Sequence, residues 1–190
     1  MKIILASKSG VRQQILRKYN IEFDAITSNV DEDEVKDSLL AEGASPLIIS
    51  KNLAELKSIR VGNNQPDRLV LGADSVISLN DKLINKPKSR EEALQILMKL
   101  NNSKHYLISS VCISKNGAMI WNHSDKSELK MKNFTEKELK EYLVKIKTEI
   151  LLAYGVYQVE AQGLELFEYI KGDQDSIMGL PIKQIMNYIK

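Results

Sequence analysis

Side chains able to do chemistry gather where short apolar runs give way to polar ones. Ser7-Lys8-Ser9-Gly10-Val11-Arg12 follows the apolar stretch Lys2 to Ala6. A strand, a small-residue turn and a helix start in that order present backbone N–H groups and a positive dipole end to an anion. Ser7 and Ser9 would line such a turn, and Arg12, one turn into the helix, could clamp a phosphate with its planar fork. A plain serine N-cap followed by a surface arginine accounts for the same residues. A second polar point, Gly72-Ala73-Asp74-Ser75, closes the apolar run from Arg68 to Ala73. An aspartate directly after a buried strand suits a metal ion or the activation of water, and it equally suits an ordinary turn. The acidic run Asp31-Glu32-Asp33-Glu34 offers a second carboxylate or a solvated loop. Lys8, Lys57 and Lys86 are the cations that a polyphosphate would need.

Several chemistries are absent from the pattern. No Gly-x-x-x-x-Gly-Lys-Ser/Thr run, no Gly-x-Gly-x-x-Gly and no nucleophile elbow occurs. His105 and His123 are far apart in sequence and form no His-x-x-x-His pair for zinc, so each reads as structural or superficial. Cys112 is the single cysteine and lies in the apolar run Ser110 to Ile113, as a buried strand residue would. A net charge of +2, from 27 basic and 25 acidic residues, is no basic excess and argues against nucleic-acid binding. The first residues are too short for a signal h-region, and no apolar stretch is long enough to span a membrane. A cytoplasmic protein with no membrane partner is the expectation.

The elements that must position these residues alternate at first and then turn to hairpins. Strands are expected at Lys2 to Ala6, Glu22 to Ile26 and Arg68 to Ala73. A helix after Gly10 should bury Val11, Ile15 and Leu16. Asp31 to Glu34 reads as a loop. Ser45-Pro46 starts a helix, with Ile49, Leu53 and Leu56 as its apolar stripe toward Lys57. Asn80-Asp81 joins two short strands, and Ser89 with Glu92 caps a helix that buries Ala93, Ile96, Leu97 and Leu100. Asn116-Gly117 turns a hairpin between Tyr106 to Ser114 and Ala118 to His123. A separate strand is expected around Lys126 to Lys132, and then a helix capped by Thr135 and Glu138 with Leu139, Tyr142, Leu143 and Ile146 inward. A strand around Leu164 to Ile170, a loop at Gly172-Asp173 and a helix from Pro181 complete the chain. The mixture predicts an α/β fold with a mixed sheet, and the length of 190 residues suits one domain, residues 1–190.

Taken in order, six segments resemble the Maf family of nucleotide pyrophosphatases. Leu5-Ala6-Ser7-Lys8-Ser9-Gly10-Val11-Arg12 is similar to the family's Leu-Ala-Ser-x-Ser-Pro-x-Arg, and Asn29-Val30-Asp31-Glu32 to its Asp-Val-Asp-Glu loop. Leu53-Ala54-Glu55-Leu56-Lys57 resembles Leu-Ala-x-x-Lys, Gly72-Ala73-Asp74-Ser75 resembles Gly-Ala-Asp-Thr, and Asn85-Lys86-Pro87 resembles Gly-Lys-Pro. The last segment, Leu166 to Asp173 followed by Gly179-Leu180-Pro181, is similar to Leu-Phe-Glu-Arg-Ile-Glu-Gly-Asp and Gly-Leu-Pro. Any one of these is weak; six in collinear order are specific.

The resemblance implies an elongated mixed β-sheet flanked by helices, two lobes with a central cleft (Maf/ITPase-like), and a homodimer. It implies hydrolysis of a nucleoside triphosphate to monophosphate and pyrophosphate with Mg²⁺ or Mn²⁺, in clearance of modified or non-standard nucleotides. Carried over by position, Ser7, Arg12, Glu32, Lys57, Asp74 and Lys86 form the site, with Ser9 and Ser75 beside the substrate. Asp74 is then the base for water and, with Glu32, the metal ligand pair. Carboxylates that hold a metal and cations that offset pyrophosphate charge make chemical sense of that set. The chain departs from the family where proline becomes Gly10 and where threonine-glycine, after the middle histidine, becomes Ser109-Ser110. Glu160 stands where thymidine/uridine enzymes carry glutamine. A glutamate resembles the 7-methylguanosine branch, whereas Ser75 resembles the thymidine/uridine branch, so the base preference stays open. A nucleotide-binding regulator of cell division, having lost catalysis, is the alternative to the enzyme.

Overall fold

The computed structural model describes residues 2–159 and 162–190. Its elements run β1 (Ile3–Leu5), α1 (Gly10–Lys18), β2 (Phe23–Ala25), α2 (Glu32–Ala41), α3 (Pro46–Gly62), β3 (Leu69–Leu79), β4 (Lys82–Ile84), α4 (Arg90–Leu100), β5 (Lys104–Lys115), β6 (Ala118–Met131), α5 (Glu136–Val144), α6 (Thr148–Tyr154), β7 (Phe167–Lys171), α7 (Gln174–Ile177) and α8 (Ile182–Ile189). Among the described residues the strands form a seven-stranded mixed sheet in the order β2-β1-β3-β5-β6-β7, with β4 paired to β3. The expected α/β class with a mixed sheet is what the chain forms. Two compact units divide it: Met1–Val76 with Ile108–Lys126 and Asp173–Lys190, and Ile77–Leu107 with Ser127–Gly172.

In the first unit β1 runs parallel to both β2 and β3. Ile15 and Leu16 of α1 pack with Ile3, Leu5, Leu71, Val111 and Ile185, while Val11 covers the margin. Helix α3 starts as the Ser45-Pro46 pair requires: Ser45 Oγ accepts from Ile48 N, and Pro46 occupies the first turn. Its stripe differs from expectation. Ile49, Leu53, Ala54 and Lys57 are buried, whereas Leu56 is exposed. The helix lies so close to β3 that a Cβ on Gly72 would sit 2.0 Å from the Ala54 carbonyl oxygen. Glycine is what permits that approach.

The second unit has a separate core built from Ala93, Ile96, Leu97 and Leu100 of α4, Leu139, Tyr142 and Leu143 of α5, and Leu129, Met131 and Phe167 of the strands. Thr135 and Glu138 form a complete capping box. Ser89 caps α4 through Glu92 N, but the Glu92 carboxylate reaches Lys88 N rather than the cap's own N–H. Helix α6 was not expected from the sequence.

Three boundaries correct the sequence reading. Asp31 is the N-cap of α2, its side chain accepting from Glu34 N, so the acidic run is a first helical turn and not a loop. Acidic side chains there favourably meet the helix dipole. β6 is one strand from Ala118 to Met131; its polar middle is held by Ser110 on Ser124 and Ser176 on Asp125. β3 continues through Asp74 to Leu79, so Asp74 lies within a strand. What ends there is its neighbour, since Ala6 N donates to Leu71 O as the last rung before the chain leaves at Ser7.

Candidate active site

Asp74 and Lys57 face each other across the closely packed α3 and β3. Lys57 Nζ lies 2.8 Å from Asp74 Oδ1 and 2.7 Å from Glu32 Oε1. Lys57 and Asp74 are each only 5% exposed, so the ion pair is desolvated and its charges depend on each other. Glu32 is half-buried in the first turn of α2, where Lys36, one turn on, also approaches it at 3.8 Å. Asp74 Oδ2 is buried and has no hydrogen-bond partner among the described residues. A buried carboxylate oxygen without a partner is costly unless something binds it. Ser50 Oγ donates to the Asp74 carbonyl oxygen at 3.3 Å and fastens α3 to the same residue.

Two carboxylates are too few for an all-protein cage, and among the described residues no group of three or more His, Cys, Asp or Glu assembles. They do match the way Mg²⁺ is held, by one or two carboxylates with substrate phosphates and water completing the shell. Hard oxygen donors without thiolate or imidazole fit Mg²⁺ or Mn²⁺ rather than zinc. Glu32 and Asp74 therefore fit the metal that the sequence resemblance implies.

Arg12 ties the remaining segments together. Its Nε donates to Gly179 O at 2.9 Å, Nη1 to Ala73 O at 3.0 Å and Ser7 Oγ at 3.4 Å, and Nη2 to Ser75 Oγ at 3.3 Å. The open phosphate clamp expected of Arg12 is thus closed on the protein's own oxygens. Burial pulls its guanidinium below the usual arginine value, opposed by the charges of Asp74 and Glu32. Ser9 caps α1, taking Arg12 N at 3.4 Å, and its own N–H donates to Ser7 Oγ at 3.2 Å. The first-turn N–H groups of Gly10 and Val11 have no intrahelical acceptor, as at any helix start.

The first unit alone therefore brings together Ser7, Ser9, Arg12, Glu32, Lys57, Asp74 and Ser75. Lys86 is exposed between β4 and the buried Pro87 in the second unit, and Lys8 is exposed on its turn. Glu160 lies outside the described residues. Ser50, Ser109 and Gly179 belong to the assembly; Ser50 carries no signal in the sequence, Ser109 shows only as a departure from the family's threonine, and Gly179 only as part of the Gly-Leu-Pro segment. Cys112 is buried in β5 against Ser58, and burial pushes its thiol up to about 11, so it is inert. His105 is fully buried beside the Tyr157 hydroxyl at 2.9 Å, a structural residue as expected.

A family model described as Maf-like protein matches residues 2–190. The chain belongs to the Maf-like family. A nucleoside triphosphate pyrophosphatase of Pelagibacter ubique is 58% identical over 100% of this chain and 97% of its own length. One from Caulobacter vibrioides is 35% identical over 99% of this chain and 94% of its own. A 7-methyl-GTP pyrophosphatase of Brucella abortus is 34% identical over 98% and 94%. In Maf-like terms, the Gly-Ala-Asp segment is the strand that carries the buried ion pair, and the Leu-Ala-x-x-Lys segment is the helix that supplies its cation. Among the described residues no helix is long and apolar enough to cross a membrane.

Proposed function

We propose that this Maf-like protein hydrolyses nucleoside triphosphates between the α and β phosphates, releasing monophosphate and pyrophosphate. The observation that carries the reading is the Asp74 carboxylate. One oxygen is held by Lys57 at 2.8 Å, and the other is buried without a partner. That leaves Oδ2 as the atom to take a proton from the attacking water, while Lys57 fixes the carboxylate's orientation. Glu32 and Asp74 together would hold Mg²⁺ or Mn²⁺. Bound there, the ion would polarise the phosphoryl oxygens and offset charge on the leaving pyrophosphate. Lys57 and Lys86 add to that offset. Ser7, Ser9 and the start of α1 receive phosphate oxygens, and Ser75 contacts the substrate from β3. Arg12 acts mainly by holding Ser7 and Ser75 in place, with its positive charge as a further contribution. Glu160 reads the base, and the active form is a homodimer.

The relatives named for nucleoside triphosphates in general and for 7-methyl-GTP support the class of reaction and leave the base to experiment. Purified protein is incubated with 7-methyl-GTP, dTTP, UTP and CTP with Mg²⁺ or Mn²⁺, and products are resolved so that pyrophosphate is distinguished from single phosphates. Monophosphate plus pyrophosphate is the expected result. Asp74→Asn should lower kcat by roughly 10²- to 10⁴-fold with unchanged folding. Full activity in that variant would remove Asp74 as the base. Binding without turnover in the native protein would make it a regulator instead.

A further inference from the structure

Ser109 lies on β5 with no role assigned to it above, is 1% exposed, and places its hydroxyl 2.9 Å from Ser75 Oγ. Ser75 Oγ also receives Arg12 Nη2 at 3.3 Å. Arginine is only ever a donor, so one lone pair of Ser75 is committed to accepting from it. The partner on the other side is another hydroxyl, which can donate or accept. If Ser109 donates, Ser75 accepts twice and its own proton must point away from both, as a donor to a ligand oxygen. If Ser109 accepts, the Ser75 proton is consumed inside the protein and Ser75 has little left to offer.

We propose that Ser109 is a positioning residue that donates to Ser75 and so turns the Ser75 hydroxyl proton toward the substrate. The inference rests on the pyrophosphatase reading above and extends it to a residue that acts only through another. The other hydrogen bonds of Arg12 hold the arrangement in place. Arg12 is immobilised by Gly179 O, Ala73 O and Ser7 Oγ, which leaves it one direction in which to meet Ser75. Gly179 has φ +100°, and a Cβ there would stand 3.1 Å from Ser75 Oγ, so glycine keeps the space beside that hydroxyl clear. The Ser75–Ser109 pair belongs to one compact unit, as do Ser7, Arg12, Ala73 and Gly179.

The test is a double-mutant cycle on turnover of whichever triphosphate the native protein cleaves. Ser109→Ala should lower kcat/KM roughly 3- to 10-fold, the worth of one neutral hydrogen bond. The loss should divide between kcat and KM in the same proportion as in Ser75→Ala. In the Ser75→Ala background, adding Ser109→Ala should change nothing further, because the hydroxyl it orients is gone. Ser109→Thr, the residue that the family pattern carries here, should restore the native value. Thermal unfolding of each variant separates misfolding from misorientation, and Ser109→Thr keeps the test alive if the alanine variant does not fold. Native kcat/KM in Ser109→Ala, or an equal loss with and without Ser75, overturns the positioning role while leaving the pyrophosphatase reading intact. If the native protein binds nucleotide without turnover, the same cycle is read on Kd. If it neither binds nor cleaves, both readings fall.

Discussion

The two compact units bury polar groups in opposite ways. The first keeps charge in its interior by pairing it: Lys57 lies between Asp74 and Glu32, and Arg12 spends most of its N–H groups on backbone and serine oxygens. The second keeps its interior polar groups neutral. His105 sits among Tyr157 and Phe167 with no acidic partner among the described residues, and burial pushes its imidazole down to about 4. The Tyr142 and Tyr157 phenols are pushed up for the same reason. A buried charge survives only with a partner; a buried titratable group without one gives up its charge. The first unit is therefore built for ionic chemistry and the second for packing.

The sharpest way to break that contrast is to remove the shared cation. Lys57→Met leaves two carboxylates facing each other with Asp74 desolvated, and it should cost about 3–5 kcal/mol of stability as well as activity. Adding Asp74→Asn to it should recover part of the stability and none of the turnover. Urea unfolding monitored by circular dichroism measures both. A loss under about 1 kcal/mol for Lys57→Met would mean that the pair is solvated after all.

In the second unit the corresponding effect is one of pH. His105 is neutral when folded and has a folded value near 4, below its ordinary 6.5. Above pH 6.5 the group is neutral in both states and the stability it contributes is fully present. As pH falls from 6.5 toward 4 the unfolded chain takes up the proton first, and that stability is lost, by up to about 3 kcal/mol. The unfolding free energy of His105→Gln should fall less between pH 7 and pH 4.5 than that of the native protein. Parallel curves would show that the imidazole does not carry the slope.

The smallest effect sharpens the first unit. Gly10 is the first residue of α1, and a Cβ there meets nothing within 4 Å. Proline suits the first helical position and restricts the unfolded chain, so Gly10→Pro should raise stability by about 0.4–1 kcal/mol. The same change deletes the Gly10 N–H. A raised melting temperature with weakened KM would place that N–H on a substrate phosphate, and an unchanged KM would place it elsewhere.

Much of the scaffold was legible because it is written locally. Asn80-Asp81 and Asn116-Gly117 both turn with positive φ, as two-residue hairpin loops require. Ser45-Pro46 and the Thr135–Glu138 box start helices where they stand. The misreadings share one cause. Asp31 to Glu34, the middle of β6 and Asp74 are polar, and polarity suggested loops or strand ends. Each instead finds a partner while lying in a regular element: the helix's own N–H groups for the acidic run, Ser110 on β5 and Ser176 on α7 for β6, and a lysine on a packed helix for one oxygen of Asp74.

The sequence by itself determined the family pattern, the carboxylates and cations available to the chemistry, and the turns and caps that bound most elements, since all of these depend on residues close in the chain. Only the tertiary structure decided how those side chains are used. Asp74 meets Lys57 because Gly72 lets α3 rest on β3, and Arg12 is a hub because it reaches Gly179, 167 positions away. Ser109 orients Ser75 through a contact between strands that no spacing in the chain predicts. Hydrogen bonds and desolvation depend on distance in space, and that distance is set by packing.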